Sequence, residues 1–306
     1  MVFEQMVCAD RTRLTPEGIA RLQEFSRARL RVHPDDPASD GEVLSRIQDA
    51  DAVLVGWQTR LTAPVLRAAA GHLKYVGMCC SLYDPASANV DIPVARELGI
   101  TVRGVRDYGD EGVVEFILAQ LVFLFQGLGR DRWKEEPAEL MGRTLGVIGF
   151  GATGQGVARA ARALGMEVLY FSRTRRESLE GGGVRFAPLM ELLTRADAVT
   201  THLPRNTRLL DARAFAAMKP ASVLINTSLG PTFDMSAFGD WIGHDGHHAI
   251  FDADGAGEHA EALANLPRVT VIGRSAGFTA EARLRLTEKV LDNIRAFLGG
   301  SCGADR

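Results

Sequence analysis

The chain has 306 residues, which is long enough for two domains of ordinary size, each with its own hydrophobic core. Hydrophobic residues make up 46% and charged residues 24%, as in ordinary globular proteins, and the net charge of −3 argues against binding to nucleic acid or to an anionic membrane surface. The N-terminal segment carries Glu4 and no basic region ahead of a long apolar core, so we expect no signal peptide and a cytoplasmic protein.

The first hundred residues alternate short apolar runs with amphipathic segments. We predict strands at 3–8, 29–32, 52–55, 75–79 and 100–103. Helices are predicted to begin after Thr15, Ser39 and Thr62, because each places a capping hydroxyl just ahead of an apolar period. Alternation of this kind indicates a parallel sheet covered by helices. The apolar run at 113–125 is too short to span a bilayer and is predicted to be a buried helix.

The most specific pattern lies at 142–175. A strand predicted at 144–150 leads into Gly149-x-Gly151-x-x-Gly154, and a helix at 155–165 and a second strand at 167–171 follow. Within a βαβ unit this glycine pattern predicts dinucleotide binding, the alternative being a glycine-rich turn without a ligand. Gly149 allows a tight turn, Gly151 lets the backbone approach a pyrophosphate, and Gly154 permits close helix–strand packing. The helix start, with Ala152 and Thr153, offers unpaired N–H groups to the phosphates.

The end of the second strand distinguishes NAD from NADP. An NAD site needs an acidic residue there, which accepts hydrogen bonds from the ribose hydroxyls. This chain instead has Ser172-Arg173-Thr174-Arg175-Arg176, with no carboxylate before Glu177. Guanidinium groups bind phosphate through charge-assisted hydrogen bonds, so we predict NADP (NADPH) as the cofactor and NAD as the less favoured one. Arg173 and Arg175 are the predicted contacts, and Ser172 is a hydroxyl donor; the alternative is a solvated loop.

The same alternation continues to the C-terminus. Strands are predicted at 198–202, 222–226, 248–251 and 269–272, and helices at 212–218, 235–242 and 280–298. Gly181-Gly182-Gly183 is predicted to be a flexible surface turn. The predicted fold class is therefore α/β, with two Rossmann-like or flavodoxin-like domains built on parallel sheets.

Cysteine and histidine positions give little support for a metal site. The cysteines have no metal-site spacing, and reduced cytosolic thiols are expected at Cys8, Cys79, Cys80 and Cys302. Four histidines cluster in sequence near Asp252 and Asp254, namely His244, His247, His248 and His259. A metal would require several of them to converge, so we predict none.

Four segments of the chain resemble the D-isomer-specific 2-hydroxyacid dehydrogenase family. They are NVDIPVARELGITV (89–102), GRTLGVIGFGATG (142–154), THLPRNTRLLDARAFAAMKPASVLINTS (201–228) and SAGFTAEA (275–282). The resemblance covers nearly the whole chain and implies two Rossmann-like domains with a cleft between them. The substrate domain would comprise 1–103 plus 275–306, and the NADP-binding domain 104–274. The resemblance also implies dimers formed through the cofactor domain, and reversible hydride transfer between NAD(P)H and a 2-keto acid.

The resemblance assigns further nucleotide contacts. Asp252 matches the family aspartate that hydrogen-bonds the nicotinamide carboxamide. The HLP segment borders the adenine pocket in the family, and within it we interpret His202 as structural. The remaining positions assigned to the nucleotide site from the matching segments are Pro204, Thr207, Thr227 and Ser228.

Three catalytic positions depart from the family pattern. The family uses an arginine that clamps the substrate carboxylate, a histidine that protonates the carbonyl oxygen, and a carboxylate that holds this histidine. Here Leu229 stands at the arginine position and Arg274 at the histidine position, and Glu258 lies one residue beyond the glutamate position. Losing a general acid costs about 10²–10⁴ in rate, so the ordinary reaction is not expected unless other groups take over.

Candidate replacements come from both predicted domains. Arg274 would bind a carboxylate or phosphate across the cleft, or else form a structural salt bridge. Tyr83 would donate a proton, or else serve only in packing. Glu258 stays ambiguous, Trp57 is a candidate for substrate shape selection, and the segment 107–111 is interpreted as a hinge with a helix cap.

Three functions stay open from the sequence. The favoured one is an NADP-dependent oxidoreductase, a homodimer acting on a small-molecule substrate other than a simple 2-keto acid, with an anionic substrate compatible with Arg274. The second is a catalytically inactive protein that binds or senses NADP(H). The third is a non-redox enzyme in which the nucleotide is structural.

Overall fold

The computed structural model describes residues 1–244 and 246–300, and the chain divides into two compact units. One unit comprises Met1–Tyr108 together with the segment that begins at Ala280, and the other comprises Gly109–Thr279. The sequence-based boundaries differ slightly from this division, because 104–108 lie with the first unit and 275–279 with the second.

The first unit is built on a five-stranded parallel sheet. Its strands are β1 (Met6–Cys8), β2 (Arg31–Val32), β3 (Ala52–Val55), β4 (Tyr75–Ser81) and β5 (Thr101–Val105), in the spatial order β2-β1-β3-β4-β5. Its first helices are α1 (Pro16–Leu22), α2 (Asp40–Ile47), α3 (Ala63–Ala69) and α4 (Ile92–Glu97). Every residue of β3 is buried, as expected for a central parallel strand that is covered on both faces.

The second unit is built on a seven-stranded parallel sheet. Its strands are β6 (Thr144–Ile148), β7 (Glu167–Phe171), β8 (Val184–Phe186), β9 (Ala198–Thr201), β10 (Val223–Asn226), β11 (His248–Phe251) and β12 (Val269–Val271). Its helices are α5 (Asp110–Gln126), α6 (Ala152–Ala163), α7 (Leu189–Arg195), α8 (Ala212–Ala216), α9 (Met235–Gly243), α10 (Ala253–Ala256) and α11 (Ala260–Ala264). The last helix, α12 (Ala280–Leu298), belongs to the first unit, where its buried face includes Leu286, Val290 and Ile294.

The strand order of the second unit defines where a ligand would bind. The order is β12-β11-β10-β9-β6-β7-β8, so the chain winds outward from β6 in one direction through β7 and then resumes on the other side at β9. In open α/β sheets, ligands bind beyond the carboxyl ends of the strands at such a reversal. The loops after Ile148 and Thr201 lie at this point because the two residues are paired in register.

The α/β fold class with two parallel sheets is confirmed, and most predicted elements are present with shifted ends. The strand predicted at 144–150 ends at Ile148, because Gly149 has a φ of +95° that strand residues do not adopt. The helix predicted at 155–165 begins earlier, at Ala152. The elements β8, α4, α7, α10 and α11 were not predicted, and each has seven residues or fewer.

Two of the three predicted helix caps form as expected. The Thr15 hydroxyl accepts a hydrogen bond from Gly18 N–H, and the Ser39 hydroxyl accepts one from Glu42 N–H. The prediction for Thr62 was wrong in one respect, since its hydroxyl donates to Asp40 (2.7 Å) and does not cap α3.

The buried helix predicted at 113–125 is confirmed as α5, which packs closely on α6. A Cβ on Gly156 of α6 would lie 2.8 Å from a methyl of Val114, so glycine permits this approach. No helix among residues 1–244 and 246–300 is both long and apolar enough to cross a membrane.

Candidate functional site

The glycine turn between β6 and α6 has little room for side chains at two of its three glycines. A Cβ on Gly149 would lie 2.1 Å from the carbonyl oxygen of His202, which follows β9. A Cβ on Gly154 would lie 2.2 Å from the carbonyl oxygen of Gly149. These two glycines therefore let the turn lie close to the residue after β9 and the helix lie close to the turn. Gly149 has the positive φ (+95°) of the tight turn expected from the sequence, and a Cβ on Gly154 would also lie 3.1 Å from a methyl of Val147 in β6, as expected for close helix–strand packing.

The third glycine of the turn borders open space. No other group lies within 4 Å of the position that a Cβ on Gly151 would take. Gly151 is the N-cap residue of α6, and no side chain caps that helix. The first turn, which includes Ala152 and Thr153, therefore presents backbone N–H groups and the positive end of the helix dipole. The Thr153 hydroxyl itself donates to the Asp110 carboxylate in the first turn of α5.

The loop after β7 contains the predicted recognition arginines, and the structure separates their roles. Arg173 is exposed and has no ion pair or hydrogen bond from its guanidinium to any residue in 1–244 or 246–300. The Ser172 hydroxyl donates to the carbonyl oxygen of Thr174 (2.6 Å), which closes a tight turn and directs this hydroxyl into the loop. Arg173 is thus the predicted phosphate contact whose charge is available.

Arg175 already has a partner within the protein. Its Nε and Nη2 donate to the two oxygens of Glu180 at 2.7 and 3.0 Å, and its guanidinium lies over the Phe186 ring at 5.7 Å. The Arg175 guanidinium holds the pKa of Glu180 below its ordinary value through this hydrogen bond. The sequence showed no carboxylate before Glu177, and Glu180 reaches Arg175 only because the loop folds back.

A buried polar network fixes the chain ends of β9 and β10. The Asn226 side chain accepts from the Thr201 hydroxyl (2.8 Å) and from Ser228 N–H (3.1 Å), and it donates to the carbonyl oxygens of Gly230 and Gly255. The Ser228 hydroxyl donates to the carbonyl oxygen of Thr201 (3.0 Å). Ser228 is therefore held in the protein framework, where its hydroxyl serves to position the loop.

The neighbouring residues of these strand ends differ in their hydrogen bonding. The hydroxyl oxygen of Thr227 is buried and has no partner in the part of the chain that the structure describes. His202 follows β9, and desolvation lowers its pKa to about 4, so the ring is neutral at pH 7. The segment beyond it turns at Asn206, where Thr207 N–H donates to the carbonyl oxygen of Pro204. A neutral His202 agrees with the structural interpretation made from the sequence.

Asp252 lies at the carboxyl end of β11 and is 1% exposed. Its two carboxylate oxygens accept hydrogen bonds from Gly255 N–H (2.7 Å) and Ala276 N–H (2.8 Å). Burial raises the pKa of Asp252 to about 6, opposed by these hydrogen bonds, and the nearby Asp254 raises it further. The aspartate thus ties the end of β11 to the segment that follows Arg274.

The raised pKa of Asp252 predicts a pH-dependent stability. The contribution of Asp252 protonation to the free energy of unfolding is fully present below the ordinary pKa of 3.8, and it is lost as the pH rises through about 6. The Asp252→Asn variant cannot titrate there, so the difference in unfolding free energy between the two proteins should change by about 2 kcal/mol between pH 4 and pH 7. Urea unfolding at both pH values measures this change, and a constant difference would contradict the prediction.

The three divergent catalytic positions lie in the second unit, Leu229 and Arg274 on loops and Glu258 in a short 3-10 helix, Gly257–His259. Leu229 is 37% exposed, on the turn that Asn226 holds. The Arg274 side chain is exposed and forms no ion pair or hydrogen bond with any described residue, so the salt-bridge alternative is not seen in this chain. The Glu258 side chain is 88% exposed, and its one ion-pair contact with a described residue is to His259, at 3.7 Å.

The candidates of the first unit lie after its strands. Tyr83 follows β4 and is 48% exposed, and Arg106 donates to the carbonyl oxygens of Leu82 and Tyr83 while its guanidinium lies near the Tyr83 ring. Trp57 follows β3 and packs partly against the core. Tyr83 is therefore positioned by Arg106, with an exposed face left on its ring.

No three metal-ligating side chains come together in residues 1–244 and 246–300. His247 stacks on Trp241 with ring centroids 4.3 Å apart, and its ring nitrogen lies 3.2 Å from the Ser222 hydroxyl. Cys8, Cys79 and Cys80 are buried and form no disulfide among the described residues, and burial raises the pKa of the Cys8 thiol to about 12. Cys302 lies outside the described residues.

Sequence reasoning missed several residues that organise the site. Asn226 stood in the matched NTS segment, but its role depends on four partners that lie in β9, in α10 and in the loop after β10. Tyr170 was seen only as a strand residue, although its hydroxyl accepts from Arg176 N–H and donates to Glu180. Glu180 carried no signal except its spacing of five residues from Arg175.

The residues at the reversal of strand order between β6 and β9 fit a dinucleotide. The open space at Gly151, the uncapped start of α6 and the unpartnered Thr227 hydroxyl are each features that a bound phosphate or ribose would complete. The exposed guanidinium of Arg173 supplies a charge at the strand end where the adenosine ribose binds in folds of this type.

Comparisons with known proteins agree with this geometry. Residues 120–272 match the family described as D-isomer specific 2-hydroxyacid dehydrogenase, NAD binding domain. Glyoxylate reductases of Thermococcus gammatolerans and Korarchaeum cryptofilum are 30% and 29% identical to the chain, each alignment covering 94% of this chain and 92% of the relative. The solved structure of an acyclic imino acid reductase in complex with NADPH and D-Arg superposes with a TM-score of 0.82 at 24% identity, covering 97% of both chains. The chain belongs to the D-isomer-specific 2-hydroxyacid dehydrogenase family of nucleotide-binding oxidoreductases.

Proposed function

We propose that this protein is an NADP(H)-dependent oxidoreductase whose substrate is not a simple 2-keto acid. One combination of features carries the proposal: a complete dinucleotide cradle around Gly149, Gly151 and Gly154 in a chain with Leu229 and Arg274 at two catalytic positions of its family. A nicotinamide cofactor supplies hydride when it is bound, and the chain's own residues must bind, orient and protonate the substrate.

The preference for NADP rests on charge. Arg173 is exposed without a partner among the described residues, and the two glutamates of the loop, Glu180 and Glu177, both contact Arg175. A carboxylate at this place would repel a 2′-phosphate, whereas a guanidinium binds it. The imino acid reductase that shares the fold was solved with NADPH, which agrees with this choice.

The residues at the divergent catalytic positions, Leu229 and Arg274, which we call the catalytic wall, determine which substrates fit. Leu229 cannot clamp a carboxylate as the family arginine does. Arg274 does not serve as the proton donor that the family histidine provides, because guanidinium groups are not deprotonated in proteins. Arg274 instead offers a fixed positive charge to an anionic group. Proton delivery to the reacting atom then falls to another group, Tyr83 being our candidate, or is not needed when the reacting atom is already protonated.

An iminium carbon is an electrophile whose nitrogen already carries its proton. Hydride addition to it gives an amine without a general acid, which matches a site that lacks the family histidine. The imino acid reductase with the same fold was solved with D-Arg. Imino acids therefore belong in the first substrate screen, beside keto acids, aldehydes and enones.

Replacing Arg173 with alanine is expected to weaken NADPH binding by about tenfold or more, because one charge-assisted contact with the 2′-phosphate is lost. NADH binding should be unchanged, since NADH has no 2′-phosphate. Calorimetric titration of each nucleotide into the wild-type protein and the variant measures both values. Arg185→Ala is the matched control, because Arg185 is an exposed arginine of β8 in the same unit. Equal losses for NADPH and NADH would contradict the assignment.

The substrate screen separates the three functions left open by the sequence. Stoichiometric NADPH oxidation with any substrate class supports the oxidoreductase. NADPH binding without turnover across all classes would leave a binding or sensing protein. A product whose hydrogen count is unchanged would identify a non-redox reaction.

We also propose a homodimer formed through the nucleotide-binding unit, as the family relationship suggests. Light scattering coupled to size-exclusion chromatography tests this assignment, and a monomer mass would refute it.

A further inference from the structure

The arginine loop, which comprises residues 172–183 between β7 and β8, contains a contact that the proposed function does not require. Glu180 holds Arg175 by two parallel hydrogen bonds of 2.7 and 3.0 Å, the bidentate geometry that a guanidinium also forms with a phosphate. The Glu180 side chain is 18% exposed and the Arg175 side chain 53% exposed. The carboxylate thus occupies the donor fork of Arg175, while the outer face of this guanidinium stays open to solvent.

A second carboxylate near Arg175 has a much weaker contact. Glu177 lies 3.8 Å from the Arg175 Nη1 and its side chain is 77% exposed. The loop therefore holds one acidic residue in bidentate contact with Arg175 and another that is nearly free. The two glutamates carry the same charge, so they allow geometry to be tested separately from charge.

Tyr170 holds Glu180 in place. Its hydroxyl donates to the Glu180 Oε1 at 3.0 Å and accepts from Arg176 N–H at 2.8 Å. Its ring stacks on Phe150 of the glycine turn, with centroids 3.9 Å apart and planes inclined by 17°. The position of the Glu180 carboxylate is thereby fixed from the glycine turn and from the arginine loop at once.

We propose that Glu180 is a specificity-determining residue that competes with the 2′-phosphate of NADP for Arg175. This inference rests on the proposed NADP binding. In the free protein Glu180 neutralises Arg175, so discrimination for the 2′-phosphate comes from Arg173, and a bound phosphate must displace the carboxylate to gain a second arginine. Glu180 thus lowers NADPH affinity and leaves NADH affinity unaffected.

The test compares four proteins by calorimetric titration with NADPH and with NADH: wild type, Glu180→Gln, Glu177→Gln and the double variant Glu180→Gln with Arg175→Ala. Glutamine at 180 can still accept a hydrogen bond from Tyr170, and thermal melting confirms that each variant is folded. We expect Glu180→Gln to tighten NADPH binding by about tenfold while NADH binding stays within about twofold, because a released guanidinium gains a phosphate contact.

The two remaining variants isolate the cause. Glu177→Gln changes net charge by the same amount and should alter NADPH affinity by less than about twofold, as for an exposed charge with a weak contact. The double variant has the net charge of the wild type and should lose the entire gain, since Arg175 is absent. A gain in the double variant, or equal tightening of NADPH and NADH by Glu180→Gln, would overturn the inference.

The inference and the proposed function fail in different ways. If the wild-type protein prefers NADPH and Glu180→Gln leaves that preference unchanged, the role of Glu180 is refuted and the proposed function stands. If the wild-type protein binds neither nucleotide, both are refuted.

Discussion

Replacing Gly151 with alanine is expected to weaken nucleotide binding by about 100-fold or more while the fold is retained. The added methyl group meets no other group within 4 Å in the protein, so it enters the space through which a pyrophosphate approaches the backbone. Alanine is a poorer N-cap residue than glycine, which should cost no more than about 1 kcal/mol of stability. Calorimetric titration with NADPH and chemical denaturation measure the two effects separately.

Gly154→Ala is the counterpart to this variant. Its Cβ would lie 2.2 Å from the carbonyl oxygen of Gly149, so the helix must move away from the turn. We expect a loss of about 3 kcal/mol or more in the free energy of unfolding, because backbone atoms cannot rearrange as flexible side chains do. If Gly151→Ala proves as destabilising as Gly154→Ala, or binds NADPH normally, the assignment of Gly151 to the pyrophosphate is wrong.

Replacing Arg274 with alanine is expected to lower kcat/KM by about 100-fold with the first substrate that the screen yields, since a charged contact to the substrate is lost. NADPH affinity should be unchanged, because the nucleotide contacts lie on other loops. Arg274→Lys should recover part of the activity, as lysine keeps the charge but loses the planar donor fork. Steady-state kinetics beside NADPH titration measures this separation.

Two outcomes would contradict the role of Arg274. A fully active Arg274→Ala variant would remove it from the catalytic wall. An equal loss in Arg185→Ala, which also removes an exposed arginine from the second unit, would mean that general charge, and not position, matters.

Long-range order of the fold was predictable because periodic apolar runs determine it. The strands 52–55, 167–171 and 248–251 and the helix 280–298 have the bounds that the sequence suggested. The missed strand β8 has three residues and pairs with β7 alone, so neither its length nor a two-residue period distinguishes it from a turn. The Thr62 cap was mispredicted because its hydroxyl had a choice of partner, Asp40, that lies 22 residues away.

The nucleotide cradle was predictable for a different reason. Gly149 and Gly154 stand where a side chain would collide with backbone atoms, so the presence of glycine at these positions already predicts the close approach of the backbone. The pairing of Arg175 with Glu180 was not predictable, because it depends on how a loop with three consecutive positive-φ glycines, 181–183, brings the chain back toward β7. The proposed catalytic positions were recognisable only as departures from the family pattern, since exposed side chains such as Arg274 leave no pattern in the sequence.

The turn after β10 owes its shape to Asn226, which is held by four hydrogen bonds, and not to the residue at 229. The residue that shapes the loop, Asn226, and the residue at the proposed catalytic position, Leu229, are therefore separate and lie three residues apart. A half-exposed side chain at 229 can be exchanged at little cost to folding, because no described hydrogen bond depends on it. This separation makes the loop evolvable: a lineage can discard its substrate-clamping arginine, or regain one, without first having to rebuild the backbone that presents it.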